Sequence, residues 1–103
     1  MRLTKDEINA IVLLAKKHFS DTVKVYLFGS RVDDNLRGGD IDLLIHAEEA
    51  YYTLNNEIRY SIDLQRSIGE RKIDIVFDDS KLKQRESFYK SIHNTKKLLT
   101  EQL

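Results

Sequence analysis

Residues 29–45 read GSRVDDNLRGGDIDLLI, and the way this stretch divides decides the fold. It holds three of the chain's four glycines, two arginines and four aspartates, and then turns apolar. Just upstream, VKVYLF at 23–28 is built of β-branched, aromatic and apolar residues and is stopped by Gly29, the pattern of a buried strand. Downstream, DIDLLIH at 40–46 opens after Gly38-Gly39 and predicts a second strand. The nine residues 31–39 join Gly29-Ser30, at the carboxyl end of the first strand, to Asp40 and Asp42, at the amino end of the second. If both ends border one site, the two strands run antiparallel.

Before this pair of strands, Thr4 with Glu7 three residues on makes a capping box. Ile8, Ile11, Val12, Ala15 and Phe19 then recur at helical spacing, which predicts a helix ending near His18. After the pair, neither Gly nor Pro interrupts the chain from about Glu48 to Ile68. Leu54, Ile58, Ile62 and Gln65 set a helical stripe there, and Gly69 terminates it. KIDIVF at 72–77 is a third strand, and Asp78, Asp79 or Ser80 caps a last helix running to about Thr100, with Phe88, Ile92, Thr95 and Leu99 on one side. The order is α-β-(short turn or helix)-β-α-β-α. A helix of about 20 residues between strands two and three is a crossover, which makes those strands parallel if they are neighbours. Asp74 then enters from the same edge as Asp40 and Asp42. The expected class is α/β (α+β), a small mixed sheet of about three core strands flanked by helices.

Composition narrows the chemistry. At 103 residues the chain is expected to be a single domain, 1–103, whose active site is built on its one core. The absence of Cys removes disulfides, thiolate metal sites and a cysteine nucleophile, and it fits a reducing compartment. Nothing resembles a signal peptide, and nowhere do about 18 apolar residues run together, so a cytoplasmic location is expected. Lys+Arg and Asp+Glu both number 17, and this zero balance does not advertise a nucleic-acid partner. With no proline and no Gly/Ser-rich or repeated segment, no linker is visible.

Strand periodicity explains the spacing of the first two carboxylates. Residues i and i+2 share a face, so Asp40 and Asp42 project together while Ile41 enters the core. Side by side they repel and raise each other's pKa unless a positive charge lies between them, and a divalent cation is the natural one. Oxygen ligands without His or Cys nearby in sequence favour Mg²⁺ or Mn²⁺ over zinc, and such ions complete their shell with water and substrate phosphate. Gly29 lets phosphate approach the backbone, Ser30 supplies a hydroxyl and Arg31 a charge. The cluster reads as a site for a metal and a nucleoside triphosphate.

An isolated D-x-D also suits a charged edge strand; the ordered combination with Gly-Ser before it and a third strand aspartate after it carries the reading. In that combination the sequence resembles the DNA polymerase β-like nucleotidyltransferase superfamily, specifically the small stand-alone minimal nucleotidyltransferases of prokaryotes. Gly29, Ser30, Asp40, Asp42 and Asp74 match its signature, over residues 23 to 77. The resemblance implies that Asp40 and Asp42 bind two Mg²⁺ ions holding ATP, and that Asp74 joins them and helps to deprotonate or position an acceptor hydroxyl. In-line attack on the α-phosphorus would release pyrophosphate. It further implies an antitoxin that moves AMP from ATP to a tyrosine of a small helical HEPN toxin, in a hetero-oligomer. Two alternatives stand beside it: a binding antitoxin that masks its partner without chemistry, and transfer to a small molecule or an RNA end. Two departures from the signature touch the loop. The link from Ser30 to Asp40 is nine residues where ten is usual, and Gly39 stands where a Ser that could donate to phosphate is common.

The remaining polar residues invite plainer readings. Arg31 serves phosphate or pairs with Asp33 or Asp34, and Arg37 belongs to a solvated loop. His18, His46 and His93 are read as surface or capping residues, Asp78 and Asp79 as helix caps. Tyr51, Tyr52 and Tyr60 on the middle helix are read as packing rather than base-stacking groups. The basic last helix is read as a solvated face.

Overall fold

The computed structural model describes residues 3–29 and 40–100. Its first helix, α1 (Lys5–Phe19), opens on the capping box: Glu7 N–H donates to Thr4 Oγ1 at 3.1 Å and Thr4 N–H to Glu7 Oε1 at 2.9 Å. Ile8, Ile11, Val12, Ala15 and Phe19 are all buried. The helix stops one residue beyond His18, where Ser20 takes a positive φ of 94°.

Four strands follow: β1 (Lys24–Phe28), β2 (Ile41–His46), β3 (Ile73–Phe77) and β4 (Lys97–Leu98), in the sheet order β3-β2-β1-β4. β1 and β2 pair antiparallel, and β2 and β3 pair parallel across the crossover helix α2 (Leu54–Ile68), as the sequence predicts. One sheet face, with Val25, Leu27, Ile41, Leu43 and Ile45, forms the main core against α1 and α2. The other face sets Tyr26, Phe28, Leu44 and Val76 against a smaller cluster of Leu82, Phe88, Tyr89 and Ile92 from the last two helices. β-Strand alternation therefore sends Asp42 to the second face, while its neighbours Ile41 and Leu43 anchor the strand in the first.

The middle segment differs from the expected continuous helix. Residues Glu49–Tyr51 form one 3₁₀ turn, and Thr53 caps α2 by accepting from Asn56 N–H at 3.1 Å, so Tyr51 and Tyr52 precede the helix. Tyr52 stacks on Phe77 with centroids 4.8 Å apart, and its hydroxyl accepts from Ala47 N–H. The apolar residues of the expected helical stripe point outward: Leu54, Ile58 and Ile62 are 69%, 48% and 46% exposed. Tyr60 and Leu64 are buried instead. Two residues on a helix differ by about 200° around the axis, so rows through Ile58 and Tyr60 face opposite ways. Tyr60 decides between them: its hydroxyl donates to the Ile11 carbonyl at 2.9 Å and its ring meets Phe19 edge-on.

The last segment also departs from a single helix. Asp79 caps α3 (Ser80–Gln84), accepting from Leu82 N–H at 2.9 Å, whereas Asp78 holds His46 Nδ1 at 3.1 Å and caps nothing. The chain breaks at Arg85 (φ −88°, ψ 70°), resumes as α4 (Glu86–Thr95), and then extends into β4, a fourth strand beside β1. Ser91, His93, Asn94 and Thr95 are weak helix formers, and Thr95 Oγ1 donates back to Ser91 O at 3.0 Å. Leu99 thus enters the main core from just beyond β4, its N–H donating to Val25 O at 2.7 Å. His18, read as a surface or capping group, ties α1 to α2 through Asp63 at 2.8 Å. Among the described residues no helix is long and apolar enough to cross a membrane.

Candidate active site

Strand register assembles the site. Phe28, the last residue of β1, lies opposite Asp42, and Asp42 lies opposite Asp74, so one row crosses three strands on the face turned to α4. The next residue, Gly29, has φ +78°, and a Cβ there would stand 2.5 Å from Asp42 Oδ2. Two independent demands, left-handed backbone and the approach of a carboxylate, therefore fix glycine at the strand end.

Asp42 is half-buried and Asp74 exposed. The Asp42 carboxyl is pushed up to about 6, first by burial, then by Asp74 as hydrogen-bond partner and like charge, then by Asp40; Lys72 offsets part of this. Asp40, one residue before β2, is exposed. Among the described residues no three His, Cys, Asp or Glu side chains form a group able to hold a cation, so Asp42 and Asp74 meet as a pair that Asp40 does not close into a trio. Ser30 and Arg31, expected to contact phosphate, lie outside the described residues, as does Gly39.

A cleft of about 540 Å³ opens over the pair, lined by Phe28, Gly29, Asp42 and Asp74 on the sheet side and by Arg85 and Phe88 across from it. Glu57 of α2 also reaches it, its carboxyl raised by burial. Arg85, Glu57 and Lys72 were not singled out from the sequence. Lys72 is legible in hindsight as the residue that opens KID, whereas Arg85 reads as one more charge on a basic helix.

A family model described as "Polymerase beta, Nucleotidyltransferase" matches residues 9–102. The chain belongs to that family. The fold of this polymerase beta nucleotidyltransferase is shared by a solved structure described as "Crystal structure of the toxin-antitoxin with AMP-PNP". The two superpose with a TM-score of 0.68 at 19% identity, over 89% of this chain and 71% of that one. No curated protein matches the chain.

Proposed function

We propose that this chain is a Mg²⁺-dependent nucleotidyltransferase that moves AMP from ATP to a hydroxyl of a partner protein. The observation that carries the reading is the pairing of Asp42 with Asp74 across β2 and β3, with Gly29, just past the end of β1, set against the Asp42 carboxylate. The donor set suits a hard divalent cation. Two facing carboxylates leave negative charge that Lys72 only partly offsets, and oxygen ligands match Mg²⁺ or Mn²⁺. Asp42 and Asp74 would hold one such ion, and by the family resemblance Asp40 would join them in holding two; when bound, the ions would neutralise charge on the phosphates and on the attacking and leaving oxygens.

The protein's own groups position the rest. Gly29, without a side chain, lets the Asp42 carboxylate close on the strand end, and by the family resemblance Ser30 and Arg31 would donate to phosphate oxygens. The acceptor oxygen forms its bond to the α-phosphorus as the bond from that phosphorus to the β-phosphate oxygen breaks. Pyrophosphate departs with the bonding pair, and the acceptor's hydroxyl proton passes to Asp74 and on to water. This is catalysis by orientation and charge.

By the family resemblance the acceptor is a tyrosine of a HEPN-type helical toxin, and this chain is its antitoxin. Two observations support a protein acceptor. A structure of the same fold is that of a toxin-antitoxin with AMP-PNP, and α2 leaves the apolar row Leu54, Ile58 and Ile62 open to solvent. Incubation with α-labelled ATP, Mg²⁺ and a co-expressed HEPN-type partner is expected to label the partner. Absence of label on any protein, with Asp42→Asn no different from wild type, would overturn the reading. The same exposed row favours a second reading, an antitoxin that masks its partner by binding alone. Neutralisation of the partner in cells by Asp42→Ala would establish that one.

A further inference from the structure

The cleft above Asp42 and Asp74 is acidic on its sheet side, and among the described residues lining it Arg85 is the one cation. Among the described residues Arg85 has no carboxylate partner, the ion pairs engaging Lys17, His18, His46, Arg71 and Lys90 instead. Its guanidinium carbon instead lies 4.4 Å from the centroid of the Phe88 ring. Stacking occupies the flat face of a guanidinium and leaves its N–H edge free, which is the part that grips two oxygens of one phosphate. Phe88 meets Phe28 edge-on at 6.1 Å, and Phe28 is the cross-strand neighbour of Asp42. Two rings therefore connect the guanidinium to the strand row that carries the acidic pair.

We propose that Arg85 is a phosphate-binding residue of this cleft, taking the terminal phosphates of the nucleoside triphosphate, with Phe88 as its positioning residue. The proposal rests on the reading of the cleft as a triphosphate site. Bare aspartates repel a polyphosphate, and a fixed cation on the opposite wall attracts its free end. As the bond between the α-phosphorus and the bridging oxygen breaks, charge accumulates on the departing pyrophosphate, and the same guanidinium is placed to receive it.

Equilibrium binding of the full chain to Mg-ATP, inorganic tripolyphosphate and adenosine separates the contributions. Arg85→Gln is expected to weaken Mg-ATP and tripolyphosphate about 10- to 100-fold, the range of a lost charge-assisted pair, and to leave adenosine unchanged. Arg85→Lys, a charge without the fork, recovers part of the loss. Phe88→Leu weakens tripolyphosphate and Phe88→Tyr, which keeps the ring, restores it, a rescue that general destabilisation would not give. In turnover, Arg85→Gln raises KM for ATP more than it lowers kcat. Arg85 is exposed, so its variants retain the wild-type melting temperature. Unchanged ATP and tripolyphosphate affinity in Arg85→Gln, with Asp42→Asn abolishing Mg-ATP binding, overturns the assignment of Arg85 and leaves the triphosphate site standing. Wild-type protein that binds neither polyphosphate overturns both.

Discussion

Burial and the facing Asp74 hold the Asp42 carboxyl near 6, above its ordinary 3.8, so metal-free protein carries a cost whenever Asp42 is ionised. The folded state binds this proton more tightly than the unfolded one. Stability from this group therefore rises as pH falls through about 6, and the gain is complete below about 4. Asp42→Asn removes the cost. In chelator it is expected to be more stable than wild type at pH 7.5, by about 1 kcal/mol after allowing for solvent screening, with the advantage vanishing toward pH 4. Melting curves of the two proteins that coincide across that range would refute the argument. Gly29→Ala should act in the opposite direction, because a methyl at φ +78° meets Asp42 Oδ2. A loss of about 1–3 kcal/mol in denaturant midpoints, together with loss of nucleotidyl transfer, is expected. Both residues were legible in the sequence, since Gly-Ser followed by D-x-D names positions whose chemistry needs those side chains. That Asp74 enters from the same edge followed from the parallel crossover, whereas its placement directly opposite Asp42 depended on strand register, which no local pattern specifies.

At the scale of elements, the strands announced themselves because β-branched and aromatic runs between glycines have few alternatives, and the crossover length fixed β2 parallel to β3. Helix α2 was harder, because two apolar rows both repeat every four residues and periodicity alone does not choose between them. The hydroxyl of Tyr60 and its fit against Phe19 made the choice. That choice has measurable consequences. Leu64→Ala, in the core, is expected to lose about 2–5 kcal/mol, whereas Ile62→Ser on the exposed row changes stability by less than about 0.5 kcal/mol. Ile58→Arg should keep the fold and lose the protein partner, read by co-purification; equal destabilisation by Leu64→Ala and Ile62→Ser in urea titrations would show the row to be core after all. The break at Arg85 and the strand β4 carried no Gly or Pro to mark them. Weak helix propensity around Thr95 and the pairing opportunity beside β1 produced them, and the second of these is tertiary.

For the whole molecule, the sheet divides labour between its faces. The face packed on α1 and α2 holds Ile41 and Leu43 fully buried on either side of Asp42, so the strand that carries Asp42 is anchored in the main core. A cation bound by that pair is then coupled to global unfolding, because the unfolded chain has no register to bring Asp42 and Asp74 together. At Mg²⁺ ten times its dissociation constant the expected stabilisation is about 1.4 kcal/mol. For a chain of this size it raises the melting temperature by about 5–10 °C. The effect should be larger at pH 7.5 than at pH 5, where the proton on Asp42 competes with the ion. Asp42→Asn and Asp74→Asn each abolish it, while Asp78→Asn, at the far end of the same parallel strand pair and bound to His46, leaves it intact. Differential scanning fluorimetry across a Mg²⁺ titration decides the matter: an identical shift in all four proteins would mean that the ion is held by scattered surface carboxylates, and that the strand row around Asp42 is not where the metal acts.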